Sequence, residues 1–121
     1  MTSILIADDD FISLEVLKAM LSTFSVDVIT ASHGQEALDQ AKALQPTLII
    51  LDYEMPYLTG AEVCAELRKL VQFSETPIIA LTGHQSPTEL NACREAGMNH
   101  TLHKPVSPEA LEEIIAPYVL K

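Results

Sequence analysis

Residues 4–10 read ILIADDD: four apolar side chains, Ile4 to Ala7, run straight into three carboxylates, Asp8, Asp9 and Asp10. An apolar run that does not alternate reads as a strand buried on both faces, the kind found inside a parallel sheet. Three carboxylates in a row repel one another, so a fold that keeps them together needs a cation, a proton or open water beside them. The question is what the rest of the chain brings to that spot.

Working outward, two further segments share the pattern. TLIIL (residues 47–51) ends on Asp52, and PIIALT (residues 77–82) ends on Thr82. Weaker strands are predicted at VDVITA (residues 26–31) and HTLH (residues 100–103). Helical spacing fills the intervals. Leu14, Leu17 and Leu21 mark a first helix from Phe11 to about Thr23, with Asp10 as its N-cap. SHGQEALDQAKAL (residues 32–44) puts Ala37, Leu38, Ala41 and Leu44 on one side of a second helix and stops at Pro46. AEVCAELRKL (residues 61–70) carries Val63, Leu67 and Leu70 on an inner stripe. The fourth helix, SPTELNACREAG, ends at Gly97, where a left-handed C-cap is expected. The last begins at Ser107-Pro108 and shows an apolar face of Leu111, Ile114, Ile115 and Tyr118. Pro117 is expected to kink or fray its final turns.

Five strand–helix units in succession predict an α/β fold in one domain over residues 1–121. The expected form is a doubly wound, five-stranded parallel sheet in the flavodoxin-like order 2-1-3-4-5, with five helices on its two faces.

Composition narrows the function. The net charge is −10 with seven Lys and Arg, which argues against direct nucleic-acid binding by this domain. No apolar run is long enough to span a bilayer, and no secretory leader pattern is present. Cys64 and Cys93 sit in helix-like stretches and read as reduced core thiols, which fits a cytoplasmic protein. There is no Gly-rich phosphate loop to suggest nucleotide binding.

In a sheet of this order the strand ends converge. The first strand delivers Asp8, Asp9 and Asp10, the third Asp52, the fourth Thr82, and the fifth leads into Lys104-Pro105. Oxygen donors without His or Cys suit a hard dication, Mg2+ or Mn2+. A carboxylate beside such an ion, with an ammonium and a hydroxyl aimed at the same space, is equipped to accept a phosphoryl group.

These residues, in this order and spacing, resemble the receiver domain of two-component response regulators. The resemblance runs over essentially the whole chain, through ADDD, LDYEMP with Gly60 beyond it, ALTG and HKP, with weaker support from HGQEAL and EAGMNHTLHKP. It implies that Asp52 is the phospho-acceptor, that Asp9 is a direct metal ligand and Asp8 a ligand through water, and that the Glu54 backbone carbonyl is a further ligand. Thr82 would bond the phosphoryl group and move inward, and Lys104 would pair with it. The Lys104–Pro105 peptide would be cis. The partners implied are a histidine kinase or a histidine phosphotransfer domain. Output would leave through the fourth helix, fifth strand and fifth helix. The domain would be no separate enzyme, though it would catalyse its own phosphorylation and dephosphorylation.

One position departs from the family. Where an aromatic switch residue usually stands, three before the lysine, this chain has Thr101. That substitution suits a damped switch or a phosphorelay role, and GMNHTLHKP looks more like the receivers of hybrid sensor kinases. Glu54 and His84, each two residues past a site residue, are candidates for tuning the phosphoryl lifetime. Two rival readings are a phosphorylation-independent pseudo-receiver and a small phosphatase of haloacid dehalogenase type. The latter usually carries a second Asp where Glu54 stands.

Overall fold

The computed structural model describes residues 2–83 and 86–119. Its five strands are β1 (Ser3–Ala7), β2 (Asp27–Ala31), β3 (Leu48–Asp52), β4 (Ile78–Thr82) and β5 (His100–His103). Between and after them lie α1 (Phe11–Leu21), α2 (Gly34–Leu44), α3 (Gly60–Arg68), α4 (Pro87–Ala96) and α5 (Pro108–Val119). All strand pairs are parallel and the order is β2-β1-β3-β4-β5, as expected.

The burial of each strand explains its sequence. β3 and β4, central in the sheet, are buried at all five positions, so both faces must be apolar. β2 and β5 lie at the edges and keep exposed residues. Alternate side chains feed two cores. Leu5, Ile49, Leu51 and Ile78 pack with α2 and α3 on one face. Ile4, Ile6, Ile50, Ile79 and Leu81 pack with α1 and α5 on the other. The core is aliphatic, with Phe73 its one fully buried aromatic among the described residues.

Helix ends follow local chemistry. Asp10 caps α1 by accepting the Ile12 N–H at 3.0 Å. The helix stops at Leu21, short of Thr23, because the Ser22 and Thr23 hydroxyls bond back to the Ala19 and Met20 carbonyls. α2 closes on Gln45 in the left-handed region, the residue before Pro46 being turned out of helical geometry. Leu44, expected on the inner face of α2, is 52% exposed; as the last helical residue it falls beyond the core that Ala37, Leu38 and Ala41 reach.

α3 ends at Arg68, two residues before the expected Leu70. Lys69 and Leu70 make i to i−3 bonds, and the chain tightens into a 3-10 turn, Val71–Phe73, that the sequence did not suggest. Gly97 is the left-handed C-cap of α4. α5 runs through Pro117 to Val119 rather than ending early, held by Val119, which is buried on the sheet. No helix among the described residues is long and apolar enough to cross a membrane.

Candidate functional site

The register of the ladder builds the site. Ala7 pairs with Leu51, so Asp8 and Asp52, each one residue further on, leave the sheet side by side. Asp52 pairs with Leu81 and Thr82 with His103, which staggers Thr82 and then Lys104 one step beyond. The Lys104 N–H donates to the Thr82 carbonyl at 2.8 Å, fixing the last of these steps, and the Lys104–Pro105 peptide is cis. At the other flank, Gly60 donates its N–H to the Tyr53 carbonyl at 2.9 Å. A Cβ at position 60 would stand 2.5 Å from the Asp52 carbonyl oxygen, so only glycine lets α3 start this close to β3.

Three carboxylates and one ammonium meet here. Lys104 Nζ donates to Asp8 Oδ2 at 2.8 Å and to Asp52 Oδ2 at 3.0 Å. The other oxygens are held by backbone: Asp8 Oδ1 accepts the Asp10 N–H at 2.9 Å, and Asp52 Oδ1 accepts that of Glu54 at 3.3 Å. Asp8 is wholly buried and Asp52 nearly so, whereas Asp9 is exposed; carboxylate oxygens of all three lie within 4.8 Å of one another. Asp10 points away from this group, its carboxylate committed to capping α1 and accepting the Ser13 hydroxyl.

The charge balance is left open. Burial pushes the Asp52 carboxyl up from 3.8 to about 7; the Asp8 carboxylate adds to the rise, and the Lys104 hydrogen bond only partly opposes it. Burial acts to lower the Lys104 ammonium, but its bonds to Asp8 and Asp52 outweigh that and hold it above its ordinary value. Thr82 is fully buried, and its hydroxyl has no hydrogen-bond partner among the described residues. An orphaned buried hydroxyl costs free energy, so it marks a place built for something more.

Other expected residues fall as follows. Glu54 is an exposed loop residue directly after the site, and Thr101 is exposed on β5 beside Ala80. His84 lies outside the described residues. A cleft of about 380 Å3 opens from Asp8 and Lys104 along Ile12, Val16 and Met20 of α1. The sequence reading did not anticipate this apolar approach, although exposed Phe11 and Ile12 at the start of α1 were its available sign. His33, which in the sequence reads as a surface residue in a polar turn, is the N-cap of α2, its Nδ1 accepting the Glu36 N–H at 3.1 Å.

Residues 4–116 match the family model described as "Response regulator receiver domain". Over 113 residues the chain is 40% identical to "Response regulator MprA" of Mycolicibacterium vanbaalenii, covering 93% of this chain and 47% of that protein. The chain thus spans about half the length of the curated relatives it matches. Among solved structures, the chemotaxis protein CheY4 of Vibrio cholerae superposes with a TM-score of 0.90 at 31% identity, over 98% of this chain and 99% of that one. The receiver domain of sensor histidine kinase PA1611 from Pseudomonas aeruginosa, which has a magnesium ion coordinated in its active-site cleft, gives 0.89 at 29% identity, over 97% and 96% of the two chains.

Proposed function

This chain belongs to the response regulator receiver domain family of two-component signalling, and we propose that residues 1–121 form one such domain in which Asp52 accepts a phosphoryl group from a phosphohistidine. The observation that carries the assignment is the meeting of Asp8, Asp9 and Asp52 within 4.8 Å, with Lys104 Nζ bonded to two of them.

The donor set fits a hard dication. Three carboxylates supply only oxygen, and a single ammonium, Lys104, stands among them. Asp9, Asp52 and the Glu54 backbone carbonyl would hold Mg2+ directly, with Asp8 acting through water. Bound there, the ion would keep Asp52 ionised and would neutralise charge on the phosphoryl oxygens.

The chain's own residues do the rest. A carboxylate oxygen of Asp52 attacks phosphorus, the P–N bond breaks, and its electron pair stays on the histidine ring. Lys104 pairs with a phosphoryl oxygen, and the orphaned Thr82 hydroxyl supplies a hydrogen bond to another. The apolar cleft along α1 borders the site and offers a seat for the helix that carries the donor histidine, from a histidine kinase or a phosphotransfer domain. Two free buried thiols, Cys64 and Cys93, suit the reducing cytoplasm in which such donors work. Output through the α4–β5–α5 face and a relay onward to a second histidine are both open to a receiver. Thr101 favours the relay, because it sets no aromatic ring beside Thr82 to report the change. Glu54, exposed two residues past Asp52, is placed to act on the water that removes the phosphoryl group, and His84 is assigned the same role from its sequence position.

The deciding experiment is intact-mass analysis after incubation with Mg2+ and acetyl phosphate. The wild type gains one phosphoryl group and D52N gains none. Undiminished labelling of D52N would reject the assignment, and an unmodified wild type would favour the pseudo-receiver. Turnover of added phosphate esters would favour the phosphatase.

A further inference from the structure

The stretch HGQEAL holds two residues, His33 and Gly34, that touch no site atom yet grip the loop that leaves Asp52. That loop, residues 53–59, contains a three-residue turn in which the Leu58 N–H donates to the Pro56 carbonyl at 2.9 Å around Tyr57 at φ 74°. This is the γ-turn arrangement with a positive φ, rare and strained for a side chain as large as tyrosine. Strained backbone persists only where its surroundings over-determine it. Within the turn itself there is one hydrogen bond, so the surroundings have to do the holding.

They are supplied by the start of α2. The Gly34 N–H donates to the same Pro56 carbonyl at 3.2 Å. A Cβ at position 34 would lie 2.3 Å from the Leu58 carbonyl oxygen and 2.7 Å from its Cβ, distances no real side chain tolerates. The His33 ring, locked by its capping bond to Glu36, stands edge-on to the Tyr57 ring with centroids 4.9 Å apart and planes at 80°. The strained turn is therefore cast against glycine on one side and against a fixed ring on the other. The far end of the loop is tied by the Thr59–Glu62 capping box of α3.

We infer that His33 and Gly34 are positioning residues for the Asp52 site: by holding the Tyr57 turn closed they fix the loop that carries the Glu54 carbonyl, and so set the affinity for Mg2+. This rests on the receiver assignment. It accounts for a glycine at the first position of a helix, where a residue of better helix propensity would otherwise serve.

The test is Gly34→Ala, compared with Leu21→Ala, which removes a fully buried side chain from the core on the opposite face of the sheet, to which no residue of the loop belongs. Magnesium titrations followed by amide NMR are expected to show a midpoint raised about tenfold or more in G34A, as when the support behind a metal ligand is lost. In the metal-free protein, amide resonances of residues 54, 55, 57 and 58 are expected to move in G34A and to stay in L21A, whatever the two variants lose in stability. His33→Asn keeps a capping acceptor but removes the ring, and a smaller shift of the same resonances is expected; it also carries the test should G34A not fold. A wild type that responds to Mg2+, with G34A or H33N indistinguishable from L21A in both readouts, overturns this inference alone. A wild type with no Mg2+ response overturns the receiver assignment and this inference together.

Discussion

The two edges of the sheet handle charge in opposite ways. At the amino edge, Arg68 donates to the carbonyls of Phe73, Thr76 and Gly97 and to Asn99 Oδ1, which itself accepts the Ile78 N–H at 2.8 Å. Every acceptor there is met and the guanidinium is fully used, so that edge is closed. At the carboxyl edge, one ammonium faces three carboxylates and a buried hydroxyl lacks a partner. Completed hydrogen bonding fixes structure; an unfinished set is where a ligand gains free energy by arriving. The difference marks the carboxyl edge, without reference to any relative, as the one left open to a ligand.

The largest effect should come from breaking the closed edge. Arg68→Ala removes the donors that join the Phe73, Thr76 and Gly97 carbonyls and Asn99 Oδ1, although the Phe73 carbonyl and Asn99 Oδ1 each keep one backbone N–H, and is expected to destabilise the fold by about 3 kcal/mol. Urea denaturation would show it, and phosphorylation of the remaining folded protein should persist. A loss under 1 kcal/mol, on the order of one ordinary hydrogen bond, would mean the amino edge is not the fastener described.

Filling the open edge should have the opposite sign. Mg2+ at a hundredfold excess over its dissociation constant should stabilise the wild type by about 2.7 kcal/mol. Thermal unfolding with and without chelator measures this directly. An unchanged transition at millimolar Mg2+ would contradict the unfinished character of the site.

A subtler asymmetry appears in pH. With the metal chelated, the Asp52 carboxyl titrates near 7 when folded and near 3.8 when unfolded. Between those values the folded state holds a proton that the unfolded state has lost, so stability falls as pH rises. The Asp52 contribution is complete below 3.8 and gone above about 7. Asp52→Asn should remove that slope, and its stabilising effect should grow across the window and then level off. Arg68→Ala should cost the same at either pH. Parallel pH profiles for wild type and D52N would remove the electrostatic half of the contrast.

How much of this was legible in the sequence follows the same division. The strands were readable because ILIA and LIIL admit no polar face, and each runs straight into an Asp, Asp8 or Asp52. Asp8, Asp52, Thr82 and Lys104 could therefore be brought together from strand order alone, and the register places the first two side by side. Arg68 could not be read this way. Its acceptors lie 5 to 31 residues away, and nothing in a helical Arg announces which carbonyls will surround it. The 3-10 turn at Val71–Phe73 is too short to show a period, and the fit of Gly34 against Leu58 exists only once two distant loops have met. Local pattern places elements; contacts between elements do not leave a local pattern.

The smallest expected effect on stability is also the sharpest test of the comparison. Asp9 is exposed and makes no hydrogen bond or ion pair with the described residues, in contrast to its neighbours Asp8 and Asp10. A residue that holds nothing should cost nothing to change, so Asp9→Asn should alter metal-free stability by no more than about 0.5 kcal/mol. Easing the repulsion among the three carboxylates would, if anything, add to stability. Yet the same substitution should abolish most of the stabilisation by Mg2+, because Asp9 is the only exposed member of the acidic group and the one free to turn toward an ion. Unfolding curves of D9N and wild type should therefore coincide in chelator and separate in magnesium. Curves that coincide in both would show that the carboxylate at position 9 is ordinary surface charge, and that the open edge does not extend to it.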